Sequence, residues 1–346
     1  MLRKKTCFNR VIHWFLFYMM LLITGCQCNS DKPDVSNQSL LVNADRFEKN
    51  LFGIDSKNAS GEIEKLNKKY GDFFNLFAFQ ITSLGSRDSA LMTENFVNFV
   101  TDSNFRSVYD DCEKLYKNFQ GYNEKLTLAF RYYKYYFPEK NVPRVVTMIS
   151  GFSYPIVCDS TTLGISLDMY LGPAYKFYST LEPSLPVYLR NRMHGDYMIS
   201  DAMKGWAQSD YGIDESTASM IDFMVSQGRQ IYFLDKVMPD TQDTIKTGYT
   251  AKQLDWCVNN EKKIWSFFIE NKLLFSIDPN LMNKFVNDGP TTNGLPKESP
   301  GNIGQFTGWQ IVKSFMKNNP EVSLKQLMEE KDMMKIYNQS KYKPVR

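Results

Sequence analysis

The sequence predicts an α+β fold, predominantly helical with a small central sheet. Three observations carry this reading. Apolar residues recur at three- and four-residue spacing over most of the chain, the period of a helix that buries one face. Two short β-branched runs in the middle, residues 142–150 (VPRVVTMIS) and 163–167 (LGISL), break that period and have the length of strands. From about residue 45 onward apolar residues never fall away for long enough to mark a linker, and no segment repeats, so one domain with a sizeable core is expected.

The chain opens on an export signal. Arg3, Lys4, Lys5 and Arg10 precede a thirteen-residue apolar run at 11–23, and no acidic residue occurs before Asp31. A positive start, a short apolar core and small residues at its end are the parts of a secretory leader. The run is shorter than the roughly 20 residues of a membrane span. Ile23-Thr24-Gly25-Cys26 resembles the bacterial lipobox, which implies cleavage before Cys26 and acylation of that cysteine. Each buried CH₂ contributes about 0.8 kcal/mol, so several acyl chains hold a protein to a membrane where one does not. Residues 1–25 are therefore expected as signal peptide, 26–43 as lipidated cysteine and flexible tether, and 44–346 as the globular domain. The polar tether separates anchor and domain by roughly 20 Å.

The leader takes four of the 41 basic residues with it, leaving 37 against 38 acidic ones. A near-neutral protein without a lysine or arginine run has no nucleic-acid footprint and no polybasic membrane patch. Cys7 leaves with the leader and Cys26 is consumed by lipid. Cys28, Cys112, Cys158 and Cys257 remain, widely spaced and with no CxxC pair. They make neither a disulfide framework nor a zinc ribbon, and isolated buried thiols are expected.

Helices then follow one another. Phe96, Phe99 and Val100 predict one, and Val108, Cys112, Leu115, Tyr116 and Phe119 the next. Gly121 is expected to break it, with residues 126–136 continuing as a third helix stopped by Pro138,. The two strand runs come next, separated by Gly151 and a turn at Asp159-Ser160. A helix over about 215–234 should turn Met220, Phe223, Met224, Ile231 and Leu234 inward. Thr250-Ala-Lys-Gln253 reads as a capping box, followed by a buried stripe of Leu254, Cys257, Val258, Ile264, Trp265 and Phe268. The Gly-rich stretch 300–309 (PGNIGQFTGW) reads as a loop leading into a helix at 311–317. Such a loop either cradles an anion at the helix N-terminus or merely turns tightly.

Histidine is the most informative residue type. There are two, and His13 is discarded with the leader, leaving His194. One imidazole suffices for a hydrolase triad but not for a zinc site built on two, HExxH included. No GxSxG, GxxxxGK[ST] or GxGxxG occurs. His194 stands just before a predicted helix, as a surface or capping residue or as a lone catalytic base. Asp168 and Tyr170 fall in the turn after the second strand run, where an aspartate satisfies backbone amides or meets a cation or substrate. Gln227 and Glu261 sit on otherwise apolar helical faces. A buried carboxylate must be paired, and Arg229 or Arg192 is the expected partner of Glu261. Asp168, Tyr170, His194, Gln227 and Glu261 are the candidates for a residual cleft; no catalytic residue, metal ligand or cofactor is assigned.

Several words of the sequence, in order, resemble one family. Leu163-Gly-Ile-Ser-Leu-Asp168-Met-Tyr170-Leu-Gly172, the stretch from Arg229 to Pro239 (RQIYFLDKVMP), Tyr249-Thr-Ala-Lys-Gln-Leu-Asp-Trp256 with Asn260-Glu261 and Ile264-Trp265, and the block from Pro300 to Val312 resemble the GldB family of gliding-motility lipoproteins of Bacteroidetes. The resemblance covers roughly Asp45 to the C-terminus. It implies a fold similar to that of membrane-associated zinc peptidases of the zincin type. Those relatives would carry HExxH on the helix that starts near Asp196, and a glutamate where this chain has Gln227-Gly228. Here the first place reads Asp196-Tyr-Met-Ile-Ser-Asp201, so the resemblance implies a zincin-like scaffold without its zinc ligands.

Two functions from different classes follow. The first is a non-catalytic lipoprotein, a pseudoenzyme working by contact with other envelope proteins of the gliding or associated secretion apparatus. The second is a membrane-anchored hydrolase with its site around Asp168, Tyr170, His194 and Glu261, which requires those groups to cluster in one cleft. A peptide- or glycan-binding module is a third reading. Gln27 after the lipidated cysteine suggests the outer membrane, and the faint acidity of Asp31 and Asp34 favours its periplasmic face.

Overall fold

The structure, a computed structural model, describes residues 32–344 apart from residue 182. The leader, Cys26, Cys28 and the start of the tether lie outside the described residues. The chain divides into two units, Met1–Ser36 and Asn37–Arg346. In the first, the Asp34 carboxylate accepts the Ser36 amide at 2.9 Å; every described helix and strand belongs to the second. No described helix is long and apolar enough to cross a membrane.

Helices dominate, and one four-stranded sheet lies among them in the order β1-β2-β4-β3. β1 (Asp45–Arg46), β2 (Arg144–Met148) and β4 (Thr162–Ser166) run parallel, while β3 (Ile156–Cys158) is antiparallel to β4. Val145 stands opposite Leu163 and Thr147 opposite Ile165. β2 and β4 are the two expected strands, and their residues are buried almost throughout, as parallel strands covered on both faces must be. β1 and β3 go beyond the expectation, being too short for alternation to be read.

Six α-helices lie between β1 and β2, with a 3₁₀ turn at Ser56–Asn58 and a π-helical segment at Leu76–Ile81: α1 (Phe47–Phe52), α2 (Ala59–Tyr70), α3 (Asp72–Asn75), α4 (Ser89–Thr101), α5 (Ser103–Leu115) and α6 (Gln120–Tyr136). Asp88 and Asp102 start α4 and α5 by accepting the amides of Ala90 at 2.8 Å and Asn104 at 2.9 Å, the work of an N-cap. Phe47 anchors this half, meeting Tyr70, Phe73 and Phe77 edge to face at 4.8–5.4 Å. Phe96, Phe99, Val100, Val108 and Cys112 point inward as expected, but Leu115 is 55 % exposed because α5 ends there. Gly121 does not break a helix. It lies in the first turn of α6, where backbone amides have no intrahelical partner to lose. Within the stretch expected as tether, Val42 already donates to Thr127 on α6, and Ala44 just after it donates to Asn123.

After the sheet come α7 (Val187–Arg190), α8 (Gly195–Tyr211), α9 (Met220–Val237), α10 (Asp243–Thr247), α11 (Ala251–Asn259), α12 (Glu261–Glu270), α13 (Pro279–Phe285), α14 (Ile303–Asn318), α15 (Leu324–Glu329) and α16 (Met333–Ser340). The Thr250–Gln253 capping box is present at α11. The stripe expected behind it is split between α11 and α12 at Asn260, and Val258 is exposed. α9 and α14 form the most extensive helix pair. They cross backbone to backbone, because a Cβ on Gly308 would overlap the Met224 carbonyl and one on Gly228 would overlap Gly308. Gly304 and Gly308 are therefore helical, which corrects the loop expected over 300–309. Each helical glycine costs about 1 kcal/mol, and the dense contact at the crossing offsets it.

Candidate functional site

The segment after β4 is a 3₁₀ turn, Leu167–Tyr170, and both polar residues in it are committed to the fold. Asp168 is fully buried and its carboxylate accepts the amides of Phe152 at 2.7 Å and Ser150 at 3.2 Å. These bonds hold Gly151 and Phe152 in the left-handed region, at φ 70° and 63°. A bulky side chain at positive φ is strained, so the carboxylate holds the turn closed. Burial pushes the Asp168 carboxyl up to about 6, against the pull of the donated backbone amides. Tyr170 is also buried and its hydroxyl donates to Asp201 on α8 at 3.0 Å.

Asp201 begins a polar network along one side of α8. Burial raises its carboxyl above the ordinary value despite the nearby Arg192. One turn on, burial lowers the Lys204 ammonium, with Asp288 and Asp201 acting in the opposite direction. Lys204 Nζ donates to Gln305 Oε1 at 2.9 Å, and Gln305 Nε2 donates in turn to Thr247 O at 2.9 Å. Arg192 pairs with Asp288 and lies against Gly248, where a Cβ would stand 2.6 Å from its Nη1. The left-handed φ of 73° at Gly248 and that close approach both require glycine.

Of these groups Arg192, Lys204 and Asp288 line a cleft of 550 Å³ whose walls come from α8, α9 and the segments before α14. Gln227 on α9 lies in it, donating to Val286 O at 2.7 Å while its Oε1 has no partner. The structure thus brings Gln227 to the cleft and sets Tyr170 behind it through Asp201.

The other candidates lie elsewhere. His194 precedes α8, pairs with Leu171 in an isolated β-bridge, and packs its ring against Tyr197 at 4.8 Å. Its Nδ1 is 3.5 Å from Asp196, a residue of a separate groove lined by Leu128, Ile199 and Ile245. Glu261 opens α12 half-buried, and its carboxylate accepts the Tyr342 hydroxyl at 2.7 Å. The arginine partner expected for Glu261 is replaced by this tyrosine. Arg229 is buried and its two terminal nitrogens donate to the carbonyls of Tyr211, Leu327, Met328 and Glu330, and burial brings it down to about 10.

Asp201, Lys204, Asp288, Asn302 and Gln305 escaped the sequence reading. A signal was there for the first two, since Asp201 and Lys204 interrupt, one turn apart, a helix otherwise buried through Met198, Ile199, Ala202, Met203 and Trp206. The cleft's donor set does not fit a divalent metal. Asp288 is taken by Arg192 and Asp201, behind the lining, by Tyr170, which leaves the exposed Glu215 as a single carboxylate beside the Lys204 ammonium, short of the three ligands a metal needs,. Among the described residues no three of His, Cys, Asp and Glu converge.

Residues 28–344 match the family described as gliding motility protein GldB. No curated protein and no solved structure matches the chain.

Proposed function

This chain belongs to the GldB family of gliding motility proteins, and from that membership we propose that it is a lipid-anchored envelope component acting by contact rather than by catalysis. The observation that carries the proposal is the internal neutralisation of the cleft. A hydrolase of triad type needs a nucleophile and base within hydrogen-bond reach, and a zinc hydrolase needs three ligands around an open position. At this cleft Asp201 is paired with Tyr170 and Asp288 with Arg192, and Lys204 is held by Gln305. The one remaining acid, Glu215, is exposed, with neither a base partner nor further ligands around it among the described residues. The hydrolase reading around Asp168, Tyr170, His194 and Glu261 finds no support, since Asp168 closes a turn and Glu261 binds Tyr342. Anchoring through Cys26 would place the protein at the periplasmic face of the outer membrane, next to the gliding or secretion machinery. Labelled palmitate should be incorporated into the chain and lost in Cys26→Ala; incorporation unchanged by that substitution contradicts the anchor. For the non-catalytic role, the full chain purified in detergent is incubated with added zinc and with casein or nitrophenyl esters. No turnover above the heat-denatured control is expected. Turnover abolished by Asp201→Asn would overturn the proposal.

A further inference from the structure

The inner wall of the cleft is polar where a helix packed on a core would ordinarily be apolar. Ser226, Gln227 and Gln230 project from one face of α9 together with Phe223. Gln230 is 7 % exposed, and neither it nor Ser226 hydrogen-bonds to another described residue. Across from them Asn302 is 8 % exposed, holds a left-handed φ of 54°, and leaves its Oδ1 without a partner, as Gln227 leaves its Oε1. Asn302 precedes the sixteen-residue helix α14 yet does not cap it with its side chain. Its backbone carbonyl is fixed by the Tyr249 hydroxyl at 2.6 Å. An unpaired buried carboxamide is costly, and a strained residue whose side chain serves neither the helix nor a neighbour is the mark of a functional constraint.

The charge and chemistry of the lining select the ligand. Arg192 and Lys204 are balanced by Glu215 and Asp288, so the cleft as a whole favours neither an anion nor a cation. Five carboxamides line it: Gln208, Gln227, Gln230, Asn287 and Asn302. Each carries donor and acceptor side by side, the match for neighbouring hydroxyls that must both give and accept. No strand contributes to the lining, so an extended peptide finds no edge to join. Phe223, half-buried at the rim, offers an apolar ring beside the polar wall.

We propose that this cleft binds a neutral saccharide, through the carboxamides of Gln227, Gln230 and Asn302 and the Lys204 ammonium. The inference rests on the contact reading above and gives it a ligand class. The Lys204 ammonium, held by Gln305, keeps protons free for a hydroxyl oxygen, and the unpaired Gln227 and Asn302 oxygens receive hydroxyl protons. The binding is non-covalent, and the Arg192–Asp288 pair forms part of the same lining.

The test is calorimetric titration of the full chain in a sugar-free detergent with maltotetraose, cellotetraose and tetra-N-acetylchitotetraose, and with tetra-alanine and inorganic phosphate as comparators. At least one oligosaccharide should bind with Kd below about 1 mM. Asn302→Gly, which keeps the backbone conformation, and Gln230→Leu, which keeps the volume, should each weaken it at least about tenfold while melting like the wild type. If a variant melts early, the other decides. Failure of all three sugars to bind up to about 10 mM, unchanged affinity in both folded variants, or binding of tetra-alanine or phosphate alone would overturn the proposal. Chromatography of the titrated sugar separates the two readings: a cleaved oligosaccharide would keep the sugar site and refute the non-catalytic role.

Discussion

Asp168 shows how a residue that looks chemical can be structural. It lies at the end of β4, fully buried, with two backbone amides directed at its oxygens. Those bonds fix the left-handed pair Gly151-Phe152, and burial nevertheless raises its carboxyl from 3.8 to about 6. The folded protein therefore binds this proton more tightly than the unfolded chain, so the residue's effect on stability is greatest at neutral pH and is a cost. Stability should rise as pH falls from about 7 to about 4, with about 3 kcal/mol of that rise due to Asp168. Urea midpoints across this window should slope upward toward acid in the wild type, and the slope should shrink in Asp168→Asn. Equal slopes in the two proteins would contradict the assignment. Its position after a β-branched run was legible in the sequence. That its partners would be amides eighteen and sixteen residues upstream was not, because no local pattern encodes which turn folds over a buried carboxylate.

Elements were legible where a local rule acts alone. The capping box at α11, the apolar spacing of α4 and α5 and the β-branched runs of β2 and β4 each follow from a few neighbouring residues. The start of α14 was misread because glycine is a poor helix former, and only the approach of α9 explains Gly304 and Gly308 within it. Gly308→Ala tests that crossing. A methyl there would overlap the Met224 carbonyl, so the helices must separate, and a loss of about 1–3 kcal/mol in urea unfolding is expected. A neutral substitution would show that the crossing is looser than described. The candidate site was half legible for the same reason. Gln227 stood out as polar on an apolar face, whereas Asn302 owes its role to the end of α14, which the sequence reading placed eight residues too late.

At the scale of the molecule, the helices after the sheet enclose a polar cleft whose charges are balanced among themselves. Arg192 answers Asp288, Tyr170 answers Asp201, and Lys204 is held by Gln305. Family membership connects this chain to gliding motility, and a neutralised cleft suits a protein that recognises rather than cleaves. The most direct test of that account is the zinc content of the purified full chain, by elemental analysis after dialysis. Less than about a tenth of an equivalent is predicted, since a bound metal must displace Tyr170 from Asp201 and Arg192 from Asp288 beside the Lys204 ammonium,. Near one equivalent of zinc, lost in Asp201→Asn, would contradict the account and make the cleft a metal site.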